Sequence, residues 1–137
     1  MSKRIQVGPN RWIGESEEPY VIAEIGINHN GSIDLCKKMI DQAVRVGVDA
    51  VKMQKRTIEE MYTKDALDVP YDKPYAFGKT YGEHKYALEF TDEQYFELQK
   101  YTHDQDCEFL VSGFDSTGFE FIEKQLNVPI HLSLIHI

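Results

Sequence analysis

Residues 21–31 read Val-Ile-Ala-Glu-Ile-Gly-Ile-Asn-His-Asn-Gly, and the organisation of the chain can be worked out from them. An apolar run of this length is typical of a buried parallel strand, and the loop after it is rich in glycine and asparagine. Ser32 then offers an N-cap for a helix. Glu24 puts a carboxylate inside the strand, which indicates either a site residue or a structurally paired charge.

On both sides of this stretch, strand and helix patterns alternate. Residues 3–13 predict a leading hairpin because apolar residues alternate around a Gly-Pro-Asn turn. Helices with one apolar face, and short apolar strands, are predicted further along: helices at 32–47, 91–104 and 119–127, and strands at 49–54, 107–112 and 128–131. This order predicts an α/β class with parallel strands and right-handed crossovers.

Two architectures fit that element order. Four strands and three helices match the first half of a (β/α)8 TIM barrel, which usually has about 250 residues. A small doubly wound sheet fits the same elements. No Gly-x-Gly-x-x-Gly or Walker sequence is present to support nucleotide binding in the second architecture.

Polar side chains recur near the ends of the predicted strands. Lys52 and Gln54 are two residues apart and therefore share a face of their strand, and Ser112 ends the next one. Lysine is rarely buried without a partner, which Glu24 or an anionic ligand would supply. Because parallel strands end at one edge, we expect Glu24, Lys52, Gln54 and Ser112 to face one pocket.

Residues 55–90 show no clean period and contain five of the eight tyrosines. A connection of this length is usually functional or disordered, and the aromatic content argues against disorder. We predict a long irregular connection that either covers the strand ends, as a lid or substrate wall, or is a decorated surface loop.

Composition narrows the class of partner and the compartment. A net charge of −8 argues against general binding to nucleic acid or to anionic membranes. Cys36 and Cys107 fall in predicted elements and indicate reduced, packed residues. The first residues carry no apolar signal core, so we expect a cytoplasmic protein.

Several motifs in the same order resemble the sialic acid synthases, that is, N-acetylneuraminate synthase and its nonulosonate relatives. The resemblance covers nearly all of residues 5–131. It is carried by Ala-Glu-Ile-Gly-Ile-Asn-His-Asn-Gly at 23–31, Val-Lys-Met-Gln-Lys-Arg-Thr-Ile at 51–58, Met-Tyr-Thr-Lys-Asp-Ala-Leu-Asp at 61–68, Leu-Glu-Phe at 88–90 and Phe-Leu-Val-Ser-Gly-Phe-Asp at 109–115.

This resemblance implies a fold and a reaction. Residues 1–131 would be the amino-terminal portion of a TIM barrel, followed in the parent enzyme by an antifreeze-like domain. The family condenses phosphoenolpyruvate with N-acetylmannosamine or a related amino sugar, giving a nonulosonic acid and phosphate. A divalent metal, manganese or magnesium, polarises the sugar aldehyde. Its ligands come from later strands, so none is assigned here, and the full-length protein is expected to be a homodimer.

Site residues follow from the same resemblance. Glu24 matches the catalytic carboxylate near the reacting centre, and Lys52 the lysine that holds the phosphoenolpyruvate anion. Gln54 matches a contact to the sugar, and Ser112 a hydroxyl near phosphoenolpyruvate. The residue types suit these tasks, because a cation and a hydroxyl bind anions and a carboxylate can move a proton.

The histidines and the last residues are interpreted separately. His29 is expected to orient or support the first loop, whereas His84, His103 and His131 are interpreted as surface or strand-end residues. Residues 132–137, Leu-Ser-Leu-Ile-His-Ile, match one reading frame of a common sequencing adaptor. We therefore expect a non-native tail, and a divergent strand is the alternative.

Two other functions stay open at this stage. One is a Schiff-base aldolase of the same barrel class that uses the Lys52 amine. The other is a non-catalytic half-barrel that only binds a ligand. We expect the 137-residue chain alone to be poorly folded, because half a barrel leaves strand edges uncovered, and inactive, because the family's metal ligands are missing from it.

Overall fold

The computed structural model describes residues 3–8 and 11–132. The strands are β1 (Arg4–Val7), β2 (Arg11–Gly14), β3 (Ile22–Gly26), β4 (Ala50–Lys55) and β5 (Glu108–Gly113). The helices are α1 (Ile33–Arg45), α2 (Ile58–Met61), α3 (Lys64–Leu67), α4 (Tyr81–Leu88), α5 (Asp92–His103) and α6 (Ser116–Phe121), and α6 continues as a π-helical turn, Ile122–Leu126.

A parallel sheet with the order β3-β4-β5 organises the chain, which confirms the predicted α/β class. Side chains alternate across it: Val51 and Met53 of β4 join the core beneath α1 and α5, whereas Lys52 points to the opposite face. Because all three strands run the same way, their carboxyl ends share one edge. β3 is less buried than its apolar sequence predicts, since it lies at the side of the described sheet.

The predicted helices form where local signals start and stop them. Ser32 caps α1 by accepting a hydrogen bond from the Leu35 backbone at 3.2 Å. Thr91 and Gln94 form the predicted capping box of α5. Both helices bury one face, and both cysteines are free and buried, as predicted. The core side chains come from both helices and the sheet: Cys36, Ile40, Met53, Tyr95, Leu98, Phe109 and Val111.

The predicted amino-terminal hairpin is also present, with β1 antiparallel to β2. Its turn residues 9–10 lie outside the described part of the chain. Arg11 attaches the hairpin to the sheet through an ion pair with Asp49, whose Oδ1 lies 2.7 Å from Arg11 Nε. Asp49 Oδ2 also accepts the backbone N–H of Val21 at 2.7 Å. One carboxylate therefore connects the hairpin, the start of β3 and the start of β4.

The prediction of an irregular connection over residues 55–90 is wrong. The segment contains α2, α3 and α4, and Thr63 and Thr80 cap the last two. These helices are too short to show an amphipathic period, and tyrosine rings contact one another between them. The ring of Tyr62, for example, meets that of Tyr81 edge to face at a centroid distance of 5.4 Å.

The fourth strand predicted at 128–131 does not form in the described residues. Pro129 has no backbone N–H, so it interrupts the row of donors that a strand partner would need. Asn127 ends the preceding helix in the left-handed region, with φ of 50°, close to the predicted stop. Of the predicted tail, only Leu132 is described, and residues 133–137 lie outside. Within the described residues, no helix has the length and apolar content required to cross a membrane.

Of the histidines in the described residues, His29 and His84 are buried, and only His29 was expected to have an internal role. His29 is 1% exposed, stacks on Phe90 at a centroid distance of 4.1 Å and accepts the Gly31 backbone N–H at Nδ1 over 3.1 Å. This placement supports the structural role expected of it. The surface interpretation of His84 is wrong, because it is 7% exposed and packs against Tyr71. His103 and His131 are exposed.

The loop after β3 approaches α4 closely at Gly31. The φ of this glycine is +73°, and a Cβ on it would lie 2.0 Å from the backbone oxygen of Ala87. Gly47 has a similar φ of +81° but has open space where its Cβ would be. A side chain at Gly47 would meet backbone strain alone, whereas a side chain at Gly31 would meet backbone strain and steric overlap together.

Exchange of these glycines for alanine should destabilise the fold unequally. Gly47→Ala should cost about 1–2 kcal/mol, the cost of a side chain in the left-handed region. Gly31→Ala should cost about 1–3 kcal/mol more because of the overlap with Ala87. Urea unfolding of the two variants and the wild type, each expressed from the complete source gene, measures the difference, and equal costs would contradict the close packing at Gly31.

Stability should also fall in acid because of His29. Burial, with a smaller contribution from the Arg56 charge, lowers the pKa of His29 from 6.5 to about 4. Between these two values the unfolded state binds the proton and the folded state does not, so stability present above pH 6.5 is lost as the pH falls towards 4. The free energy of unfolding should drop by up to about 1.4 kcal/mol per pH unit from this group.

The measurement is the free energy of unfolding as a function of pH for the wild type and for His29→Gln. The variant has no imidazole at this position, so its curve should be flatter across the acid limb. Parallel curves would show that His29 keeps its ordinary pKa in the folded protein.

Candidate active site at the carboxyl edge of the sheet

Lys52 is the centre of a charged cluster that joins all three parallel strands. It is 9% exposed and lies on β4, between Glu24 on β3 and Ser112 on β5. Its ammonium group forms an ion pair with Glu24 and donates a hydrogen bond to Ser112 Oγ over 3.2 Å. These three side chains gather at the carboxyl ends of neighbouring strands, as predicted, and the pocket that they were expected to face stays a prediction.

Gln54 joins the same edge two residues further along β4, in register with Ser112. A Cβ placed on Gly26 would lie 3.5 Å from Glu24 Oε1 and 3.6 Å from Gln54 Nε2, so these two side chains lie on the same side of Gly26. All four predicted residues are therefore neighbours. Their roles towards a substrate stay predictions at this point.

The ion pair is asymmetric in its exposure. The side chain of Glu24 is 46% exposed, whereas Lys52 is nearly covered. An ammonium group can donate three hydrogen bonds, and Glu24 and Ser112 account for two of them. A nearly buried cation whose carboxylate partner is half-exposed is suited to exchange that partner for an anionic ligand.

The Ser112 hydroxyl has a defined direction. Its oxygen accepts the hydrogen bond from Lys52, and its own hydrogen is donated to the backbone oxygen of Leu132. The chain that follows α6 therefore touches the site although it does not add a strand to the sheet.

Arg56 is a site neighbour that sequence reasoning missed. Its guanidinium donates a hydrogen bond to Gln54 Oε1 and lies over the ring of Phe114, 4.7 Å from the ring centroid. The available signal was the spacing of 52, 54 and 56, which continues one face of a strand. This signal was obscured because Arg56 lies just beyond the end of β4.

The described residues do not fit the divalent metal that the resemblance implies. Among residues 3–8 and 11–132, no group of three or more histidine, cysteine, aspartate or glutamate side chains is arranged to hold a metal ion. Nδ1 of His29 is occupied by the Gly31 N–H. No step of the chemistry is therefore derived through a metal in this part of the chain.

Two surface cavities lie away from the cluster. One, of about 550 Å³, lies among α2, α3 and α4, and its lining includes Tyr62, Leu67 and Tyr86. The other, of about 610 Å³, lies between the hairpin and the amino ends of β4 and β5, and its lining includes Arg11 and Glu108. Lys52 and its partners line neither of these two cavities. The cluster is a candidate for chemistry because of its own contacts, which hold a nearly buried ammonium group between a carboxylate and a hydroxyl.

Comparison with known proteins agrees with the motifs. The model of the NeuB family matches residues 39–132. The N-acetylneuraminate-9-phosphate synthase of Homo sapiens is 43% identical over 94% of this chain and 36% of its own length. The N,N'-diacetyllegionaminic acid synthase of Legionella pneumophila is 32% identical over 90% of this chain and 38% of its own length.

A solved structure supports the same assignment. The N-acetylneuraminic acid synthetase from Leptospira borgpetersenii superposes with a TM-score of 0.71 and 25% identity, over 90% of this chain and 39% of the synthetase chain. The chain thus spans little more than a third of the length of the relatives it matches. These matches and the motifs together place the chain in the NeuB family, the sialic acid synthases.

Proposed function

We propose that the protein condenses phosphoenolpyruvate with N-acetylmannosamine or a related N-acetylated amino sugar, releasing phosphate and a nonulosonic acid. The observation that carries the proposal is the nearly buried ammonium of Lys52, held between Glu24 and Ser112 at the carboxyl edge of a parallel sheet. The names of the relatives from Homo sapiens and Legionella pneumophila describe synthases with products of this class.

Each side chain has a task in this proposal. Lys52 binds the phosphoenolpyruvate anion, because a desolvated cation favours negative charge. Ser112 joins it when its hydroxyl hydrogen turns from the Leu132 oxygen to the anion. Glu24, released from its ion pair when the anion binds, lies beside the reacting centre and handles a proton there. Gln54, oriented by Arg56, contacts the sugar.

The surrounding assembly is part of the same proposal. The three parallel strands are the first strands of a (β/α)8 barrel, and residues 1–131 are its amino-terminal portion. The enzyme uses manganese or magnesium, held by side chains outside the described residues. It works in the cytoplasm as a homodimer.

The test is an assay on the protein expressed from the complete source gene. With phosphoenolpyruvate, manganese and N-acetylmannosamine or its relatives, we expect phosphate release that depends on the sugar. Lys52→Ala should lower kcat/KM by about tenfold to a hundredfold, since it removes the charge-assisted contact to the phosphoenolpyruvate anion, worth about 1.5–3 kcal/mol. Glu24→Gln should lower kcat by about a hundredfold to ten-thousandfold, the range for a positioned proton carrier.

Lys100→Ala is the matched control. Lys100 is an exposed lysine on α5 that pairs with Asp104 on the surface, so its removal should change kcat/KM less than about twofold. Borohydride trapping of a substrate on Lys52 would replace the proposal with a Schiff-base aldolase. Binding of phosphoenolpyruvate without turnover in the complete protein would replace it with a binding module.

A further inference from the structure

Glu89 lies behind the end of β4 and has contacts that the proposed chemistry does not explain. It follows α4 directly and is half-buried. Its Oε1 accepts the backbone N–H of Arg56 over 3.3 Å and lies 2.9 Å from the hydroxyl oxygen of Tyr95. A carboxyl group thus touches the backbone next to the strand that carries Lys52 and Gln54.

The Tyr95 hydroxyl lies between two oxygens. Tyr95 is 1% exposed, and its Oη is 2.6 Å from the backbone oxygen of Gln54 as well as 2.9 Å from Glu89 Oε1. Both separations are hydrogen-bond distances, and two oxygens this close need a proton between them. A phenol carries one hydrogen and a backbone carbonyl carries none. Both contacts are full hydrogen bonds only if Glu89 carries the second proton; otherwise the single hydroxyl hydrogen is shared between two acceptors.

We propose that Glu89 is a positioning residue, present as a protonated carboxylic acid that donates to Tyr95 while Tyr95 donates to the backbone oxygen of Gln54. The same carboxyl group accepts the Arg56 N–H, so the backbone is held on both sides of Lys55. The long 3.3 Å contact from Arg56 suits an oxygen that carries a proton and is therefore a weak acceptor. The role in sugar binding rests on the proposed function.

The electrostatic surroundings agree with this geometry. Burial raises the pKa of Glu89, against the opposing effects of the Arg56 N–H, the Tyr95 hydroxyl and the charges of Lys55 and Arg56. Lys55 is itself paired with Asp92, whose Oδ1 lies 3.0 Å from Lys55 Nζ. Burial raises the pKa of Tyr95 well above its usual value, so the phenol keeps its hydrogen.

The consequence is a fixed position for the two residues that flank Lys55. The Tyr95 hydroxyl holds the backbone oxygen of Gln54, and the Arg56 guanidinium holds the Gln54 side chain. The backbone N–H of Arg56 is in turn held by the Glu89 carboxyl group. We call the hydrogen bonds that join Glu89, Tyr95 and the Gln54 backbone the relay. Loss of the relay frees the end of β4 without removing any group that is proposed to contact a substrate. The effect should therefore fall on the sugar, which Gln54 contacts, and much less on phosphoenolpyruvate.

Infrared spectroscopy tests the protonation without any need for activity. At neutral pH, the difference spectrum of the wild type minus Glu89→Gln should contain the carbonyl band of a protonated carboxylic acid. Glu97 on α5 is the control, because its exposed carboxyl group is paired with Lys37 on α1. The difference spectrum of the wild type minus Glu97→Gln should contain carboxylate bands only. Absence of the acid band from the Glu89→Gln difference overturns the proposal, whatever the enzyme does.

Hydrogen exchange and kinetics test the positioning. In Tyr95→Phe and Glu89→Ala, the Arg56 amide should exchange faster, and KM for the sugar should rise about tenfold, which corresponds to about 1.4 kcal/mol. KM for phosphoenolpyruvate should change by less than about twofold, because the contacts of Lys52 with Glu24 and Ser112 do not involve Glu89 or Tyr95. Glu89→Gln keeps a neutral donor and should behave as the wild type in both measurements.

The outcomes separate this inference from the proposed function. A wild-type protein without sugar-dependent phosphate release refutes the proposed function. The infrared band of Glu89 and the exchange rate of the Arg56 amide still show in that case whether the relay exists. Equal damage from Glu89→Gln and Glu89→Ala, or equal changes in KM for both substrates, overturns the positioning role.

Discussion

The nearly buried ammonium group of Lys52 constrains the whole carboxyl edge of the sheet. A cation removed from water is costly unless carboxylate and hydroxyl groups replace the lost solvent, and Glu24 and Ser112 do so from the two adjacent strands. The pairing works only in the observed register, because a shift by one residue would turn Lys52 towards the helices and Val51 away from them. Chemistry and strand register are thus specified by the same contact.

The groups around this contact are arranged in layers. Glu24, Lys52 and Ser112 lie at the edge itself, and Gln54 and Arg56 lie beside them. Tyr95 approaches from the helical side of the sheet and reaches the backbone of β4 with its hydroxyl, while its ring packs in the core. A core side chain therefore supports the site directly, which explains why α5 has to lie close to both β4 and β5.

Local signals were sufficient to predict much of this fold. Ser32 and Thr91 determine where α1 and α5 begin through contacts within a single turn, and such contacts can be recognised in the sequence. The gathering of Glu24, Lys52, Gln54 and Ser112 was predictable because polar residues near the ends of parallel strands converge. The start of α4 also had a local signal, the capping box of Thr80 and Glu83, which the apolar periodicity did not reveal. The burial of His84 was not predictable in this way, because it depends on the ring of Tyr71, which is distant in the sequence. The strand expected at 128–131 followed from an apolar pattern that took no account of Pro129.

The tight contact at Gly31 has a mechanical consequence. With the Ala87 carbonyl directly against the Cα of Gly31, no gap separates the loop after β3 from the end of α4, so neither can slide past the other. The same loop carries His29, whose ring is stacked on Phe90 just beyond α4. The end of α4 and the residues just after it are thus packed against the loop at two points, the Gly31 backbone and the His29 ring. A movement of α4 away from this loop would have to break both contacts at once.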